Sequence, residues 1–133
     1  MNLQNLAYAV DQSAHNLGAV AVTGGAFLAL FDEARRKKLA WLVLSGWAIQ
    51  GATGALFGML SYAFYGHLPD IAGVAVKALF IKMACAATGF FLAAACIRKS
   101  DSWPEAARDR AWLALFLLAL TALTSAAFLR WFS

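Results

Sequence analysis

IAGVAVKALFIKMACAATGFFLAAACI, Ile71 to Ile97, runs 27 residues with Lys77 and Lys82 as its only charges. At 1.5 Å per residue such a helix reaches about 40 Å. A bilayer's hydrocarbon core is about 30 Å thick, so the stretch is long enough to cross it. Three further runs have the same character: Gln12–Phe31, Leu39–Tyr65 and Ala111–Trp131. Leu3, Leu6, Tyr8, Ala9 and Val10 form a mildly amphipathic lead-in through which the first run can extend back. None alternates with period two, as barrel strands would, and open sheet edges cannot face lipid. The expectation is an all-α integral membrane four-helix bundle, one domain over residues 1–133.

Composition agrees. Hydrophobic residues make up 62% of the chain, against about 45–50% in a soluble domain. The net charge of +4 does not point to nucleic acid, because the basic residues lie in short links between apolar runs. The link Asp32–Lys38, DEARRKK, carries four basic residues, and Arg98–Arg110, RKSDSWPEAARDR, also carries four. Gly66–Asp70, GHLPD, carries none. Basic links stay on the cytoplasmic side. The expected topology is therefore N-out/C-out, multi-pass, in a bacterial-type inner (cytoplasmic) membrane. Residues 1–31 hold no Lys or Arg, so the basic start of a secretory signal is missing and the first run reads as retained.

Arg35, Arg36, Lys37 and Lys38 read as contacts to anionic lipid heads, with Trp103 at the interface. Trp41, Trp112, Trp131, Tyr62 and Tyr65 lie near run ends, where amphipathic rings favour the headgroup level. Gly66 and Pro69 predict a tight turn. Pro104 suits the first turn of a short interfacial helix.

Small residues mark close helix contacts in lipid. On the first helix Asp11, His15, Gly18, Val22 and Ala26 share a stripe. On the second, Gly46, Gln50, Gly54 and Ser61 do, flanked by Thr53 and Phe57, and Gly54-xxx-Gly58 is a small-xxx-small pair. The third has Ala78, Lys82, Cys85, Ala86, Gly89, Ala93 and Cys96. Its opposite side carries Leu79, Phe80, Met83, Phe90 and Phe91.

The polar residues on these stripes are the candidate site. Lys82 is near mid-helix, where a charge costs at least about 2.5–3.5 kcal/mol and marks a function or a partner. No acidic residue lies in the interior of the spans to neutralise it. The alternatives are a stem that snorkels outward past Lys77 and a lysine that burial keeps neutral. Lys77, nearer the end, reads as a snorkelling side chain with Asp70 two turns away. His15 is placed about 10 Å outward of its helix centre, and Asp11, one turn earlier, has the spacing for a carboxylate that orients an imidazole. His15 reads as a metal ligand or a proton acceptor open to the outer side, or as a histidine hydrogen-bonded across the bundle. Depths counted from the run centres separate His15 and Lys82 by about 7–8 Å, a gap a lysine stem plus a ligand would bridge. Gln50 lies at a depth like that of Lys82 and reads as an interhelical hydrogen bond or as part of the site. His67 reads as a loop residue of the turn.

Cys85 and Cys96, eleven residues apart on one helix, cannot pair with each other. They read as packing residues. With Met59 and Met83 they are soft copper ligands but scattered. A second mid-helix histidine for bis-His haem is missing, as are a phosphate loop and a dinucleotide fingerprint.

The run HNLGAVAVTGGAFLALF, His15 to Phe31, resembles the first helix of the CopD-like copper-resistance membrane family, in which an outer-side His precedes a Gly-Gly pair. VKALFIKMACAATGFFLAAACIRK, Val76 to Lys99, is similar to that group's Lys-bearing later helix. A related four-helix group, the bacterial haem-biosynthetic protoporphyrinogen oxidases, shares the first-helix His and later Lys. The resemblance covers about a third of the chain, on His15, Gly24, Gly25 and Lys82, with Val22-Thr23 where a tryptophan is common. It implies a four-helix fold and a site for copper or haem.

Two functional expectations follow. One is an intramembrane site, His15 and Lys82 with Gln50 and Asp11, for a cofactor or small ligand such as copper, haem or quinone. The other is a non-catalytic accessory subunit of a larger respiratory or photosynthetic membrane complex, packed against other subunits or copies of itself. Neither requires an enzyme.

Overall fold

The first helix begins where its first free N–H is capped: the Asn2 side-chain oxygen accepts from the Gln4 N–H at 3.1 Å. In the computed structural model, which describes residues 2–133, α1 therefore spans Leu3–Phe31. The lead-in belongs to it, and its start is Leu3 rather than Gln12. Next come α2, Arg36–Tyr65, α3, Val74–Lys99, and α4, Glu105–Trp131, with one-turn 3-10 segments at Glu33–Arg35 and Ser100–Ser102. There is no strand among the described residues. Each of the four helices is long and apolar enough to cross a membrane.

The ends have identifiable causes. Gly66 takes φ 75°, open to glycine without penalty, and its N–H closes α2 onto the Tyr62 carbonyl. The turn runs past Asp70 to Gly73, φ 56°, so α3 starts three residues later than the apolar run. The hydroxyl of Ser61 donates to the His67 carbonyl at 3.0 Å and ties this turn to α2. Pro104 precedes α4, where its missing N–H costs nothing. The separate interfacial helix expected there is absent: residues 105–110 are the first turns of α4 itself.

The helices form a ring. α1 packs on α2, α2 on α3, α3 on α4 and α4 on α1, which leaves α1 and α3 diagonal to each other. The interior is lined mainly by small side chains, among them Ala26, Ala29, Ala40, Ala93 and Ala119, filled out by Val43, Trp47, Trp112 and Leu115. Phe80, Met83, Phe91, Leu17 and Val20 point outward, as expected where lipid rather than water is the solvent. Trp112 is thus a core residue, not a headgroup-level ring, while Trp41 and Trp131 are exposed.

The α1–α2 crossing is closest at Gly18 and Gly46. A Cβ on Gly46 would sit 3.0 Å from the Gly18 carbonyl oxygen and 2.8 Å from Val22 Cγ1. Gly54 has open space where its side chain would be, and Gly58 meets only Leu68 at 3.8 Å. The Gly54-xxx-Gly58 pair therefore packs against no helix of this bundle.

At the opposite end from the GHLPD turn, the basic links are built into the fold. Arg36 Nε donates to the Ala29 carbonyl at 2.9 Å, satisfying a carbonyl of the last turns of α1. Its Nη1 pairs with Asp109 of α4 at 2.7 Å and with Glu33 at 3.6 Å, and Arg108 also reaches Glu33, at 3.4 Å. Arg36 is half-buried. It joins three helices, with its guanidinium engaged inside the protein. Arg35 pairs with Asp32 and Lys37 with Asp101, both at the surface; Trp103 packs partly buried against the core. Arg36→Met is expected to lower the unfolding midpoint, at a cost of about 1–3 kcal/mol for the unpaired carbonyl and carboxylates. Lys38→Met, at an exposed position, should change it by less than about 0.5 kcal/mol. Thermal unfolding in detergent followed by circular dichroism measures both.

Candidate functional site

Lys82 and His15 meet directly. Lys82 Nζ lies 2.8 Å from His15 Nε2, across the diagonal of the bundle. Sixteen residues separate His15 from Phe31 and seventeen separate Lys82 from Lys99. Measured from the basic end, the two are within about 1.5 Å in depth. The expected gap of 7–8 Å does not exist, because the true α1 extends to Leu3 and its centre moves outward with it. No ligand is needed to bridge the pair.

The donors and acceptors around His15 form one directed chain. The Thr53 hydroxyl donates to the Ile49 carbonyl at 2.6 Å. Its proton is committed, so it accepts from His15 Nδ1, also at 2.6 Å. His15 is then the Nδ1–H tautomer, and its Nε2 lone pair accepts from the Lys82 ammonium. Gln50 donates through Nε2 to the His15 backbone carbonyl. The histidine is held through both ring nitrogens and its main chain, by α2 and α3.

This corrects one expectation. Asp11 does not orient the imidazole; Thr53 of α2 takes that position. Asp11 is buried at 5% exposure, and its Oδ1 has no partner among the described residues. Thr53 carried a signal, as a hydroxyl beside the Gln50 stripe, but a Thr on a membrane helix usually bonds back to its own helix. Only the tertiary contact shows that it does both. His67 bonds to the Leu68 carbonyl in the exposed turn and takes no part in the site.

The predicted inward stripes hold on α1 and α3, and on α2 except at Gly54, which is exposed with its neighbour Phe57. Asp11, Gly18, Val22 and Ala26 of α1 are buried, as are Gln50, Thr53 and Ser61 of α2 and Ala78, Cys85, Gly89, Ala93 and Cys96 of α3. Both cysteines are free.

A lysine ammonium has three N–H donors. His15 uses one. No hydrogen bond or ion pair to another described residue occupies the other two. The group is half-buried, so the site offers directed, unused donors within the apolar span.

Copper and haem fit poorly. A metal needs a free imidazole lone pair, and that of Nε2 faces a cation 2.8 Å away while Nδ1 bonds to Thr53. Among the described residues no three His, Cys, Asp or Glu side chains converge to hold a metal ion. Met59 and Met83 point outward. Comparison of the chain with protein-family models, with curated proteins and with solved structures finds no match.

Proposed function

We propose that the Lys82–His15 pair is an intramembrane binding site for a small apolar ligand bearing an acceptor oxygen, with a quinone head group as the ligand class. The observation that carries this reading is the half-buried ammonium within the span, with one donor satisfied by His15 and two unused. Lys82 lies about 7 Å from the centre of α3 toward the GHLPD turn, and its charge is retained against part of the about 2.5–3.5 kcal/mol it would cost at the centre. Its one protein partner is neutral, so the charge remains to be met. A carbonyl or phenolate oxygen meets it, and the apolar ring of a quinone suits the apolar span in which the pair lies. His15 acts as the positioning group that aims Nζ. Asp11, one turn away on α1, extends the polar face. No bond-making step is assigned to any of these residues.

The test is extraction of the protein purified in mild detergent. About one quinone per chain, depleted in Lys82→Met and kept in Lys37→Met, supports the site. Equal content in wild type and Lys82→Met, or stoichiometric copper or haem in its place, would overturn it.

The apolar ridge of Phe80, Met83 and Phe91 on α3 supports a second reading, an accessory subunit whose ridge packs on a larger respiratory or photosynthetic protein. Co-purification that survives Lys82→Met but not Phe91→Ser would favour it.

We infer an N-out/C-out orientation in a bacterial-type cytoplasmic membrane from the charge of the links. Impermeant thiol labelling of intact cells should modify H67C and spare S100C. The buried Cys85 and Cys96 leave a low background. Labelling of S100C alone would invert the arrangement.

A further inference from the structure

A second feature lies away from the Lys82 pair, between α3 and α4 toward the GHLPD turn. It is an open groove of about 460 Å³, walled by Val74, Ile81, Leu117, Leu120 and Phe128. Lys77 stands in its lining. The three hydroxyls on the α4 wall are all committed to their own helix. Thr121 donates to the Leu117 carbonyl at 2.8 Å, Thr124 to the Leu120 carbonyl at 2.9 Å, and Ser125 to the Thr121 carbonyl at 2.8 Å. They offer lone pairs and no protons. The Lys77 ammonium is the single free donor of the groove.

Lys77 is exposed and its side chain forms no ion pair or hydrogen bond among the described residues; Asp70, the nearest carboxylate in sequence, does not reach it. It sits at the start of α3, whose first turn has no acidic residue and no side-chain cap. A cation there faces the positive end of the helix dipole and is uncompensated. The groove faces the hydrocarbon and must be filled by an apolar chain, while the charge at its mouth calls for an anion at headgroup depth. Neither a zwitterionic lipid nor a neutral ligand supplies that net charge.

We propose that this groove is a binding site for one anionic phospholipid, an acyl chain along the α3–α4 walls and the phosphate on Lys77. Its position at the end opposite the DEARRKK link makes it independent of the basic cluster around Arg36, and it does not rest on the quinone reading.

The test is lipid retention by delipidated full-length protein in detergent, counted by native mass spectrometry, with phosphatidylglycerol and phosphatidylcholine of identical chains. One phosphatidylglycerol should bind about fivefold more tightly than phosphatidylcholine, the preference one lysine contributes at a membrane surface. Lys77→Met should abolish that preference and Lys77→Arg should keep it. Thr121→Trp, which places a ring in the groove, should weaken both lipids. Equal binding of the two lipids by wild type, or an unchanged preference in Lys77→Met, overturns the proposal. So does a wild-type dimer that Thr121→Trp converts to monomer, since a second copy would then be the occupant. If Lys77→Met does not fold, the Lys77→Arg and Thr121→Trp results decide the matter.

Discussion

His15→Ala is expected to destabilise the protein by about 1–3 kcal/mol, whereas Lys82→Met should change its stability by about zero. The asymmetry follows from which group is left alone. Without His15, the Lys82 ammonium loses its only acceptor, 2.8 Å away, and stays charged among apolar side chains. Thr53 loses its donor as well. Without Lys82, a charge-assisted hydrogen bond worth about 1.5–3 kcal/mol disappears. The insertion cost of the charge, up to about 2.5–3.5 kcal/mol, disappears with it. His15 keeps Thr53, and only its Nε2 lone pair is left bare. The double variant His15→Ala/Lys82→Met should then be more stable than His15→Ala alone. A negative coupling of that sign in thermal or denaturant unfolding is specific to a charged lysine that depends on His15. Additive losses would mean that Lys82 already escapes to the membrane surface. Ligand retention should fall in both single variants, since His15 aims the donors and Lys82 supplies them. If Lys82→Met gains stability while binding and activity stay at the wild-type level, Lys82 is a tolerated snorkelling residue and the site does not exist.

How much of this was legible in the sequence depends on the range of the forces involved. The helical class, the number of spans and the inward stripe of α3 are written in local apolar runs and small-residue spacing, and the structure has them. His15 and Lys82 stood out because polar groups are rare at such depths. Their direct contact was not legible. A depth counted from Gln12 puts His15 too far outward, since the true start is set by a single Asn2–Gln4 cap that hydropathy cannot register. The same blindness explains the glycines. Gly54-xxx-Gly58 has the small-xxx-small pattern, but its face meets no helix. Gly18 and Gly46, with no such spacing between them, make the closest crossing because each finds the other on a different helix. Arg36 looked like one more basic link residue. Its partners, Ala29, Glu33 and Asp109, come from three segments, and only the finished fold assembles them.

Gly89→Leu is expected to prevent assembly of the bundle, and even Gly89→Ala to cost about 1–3 kcal/mol. A Cβ at Gly89 would overlap the Trp47 indole at three of its ring atoms. Trp47 is only 2% exposed and is part of the core that holds Val43 and Leu115. Its ring has no free end that could swing aside, unlike a long aliphatic chain, so the added methyl must push α3 away from α2. That separation would also draw Lys82, two turns earlier on α3, away from His15. Helix propensity works in the other direction, favouring Ala over Gly by about 1 kcal/mol, and the overlap outweighs it. Gly54→Ala isolates the propensity effect. With nothing within 4 Å of its added carbon, it should stabilise α2 by up to about 1 kcal/mol. Shrinking the obstacle should rescue the larger change: Trp47→Phe removes the pyrrole edge that meets Gly89. The pair Gly89→Ala/Trp47→Phe should accordingly unfold at a higher temperature than Gly89→Ala alone. Gly89→Ala as stable as wild type, or a rescue no better than Trp47→Phe combined with Gly54→Ala, would show that the α2–α3 contact at Trp47 does not set the packing of this bundle.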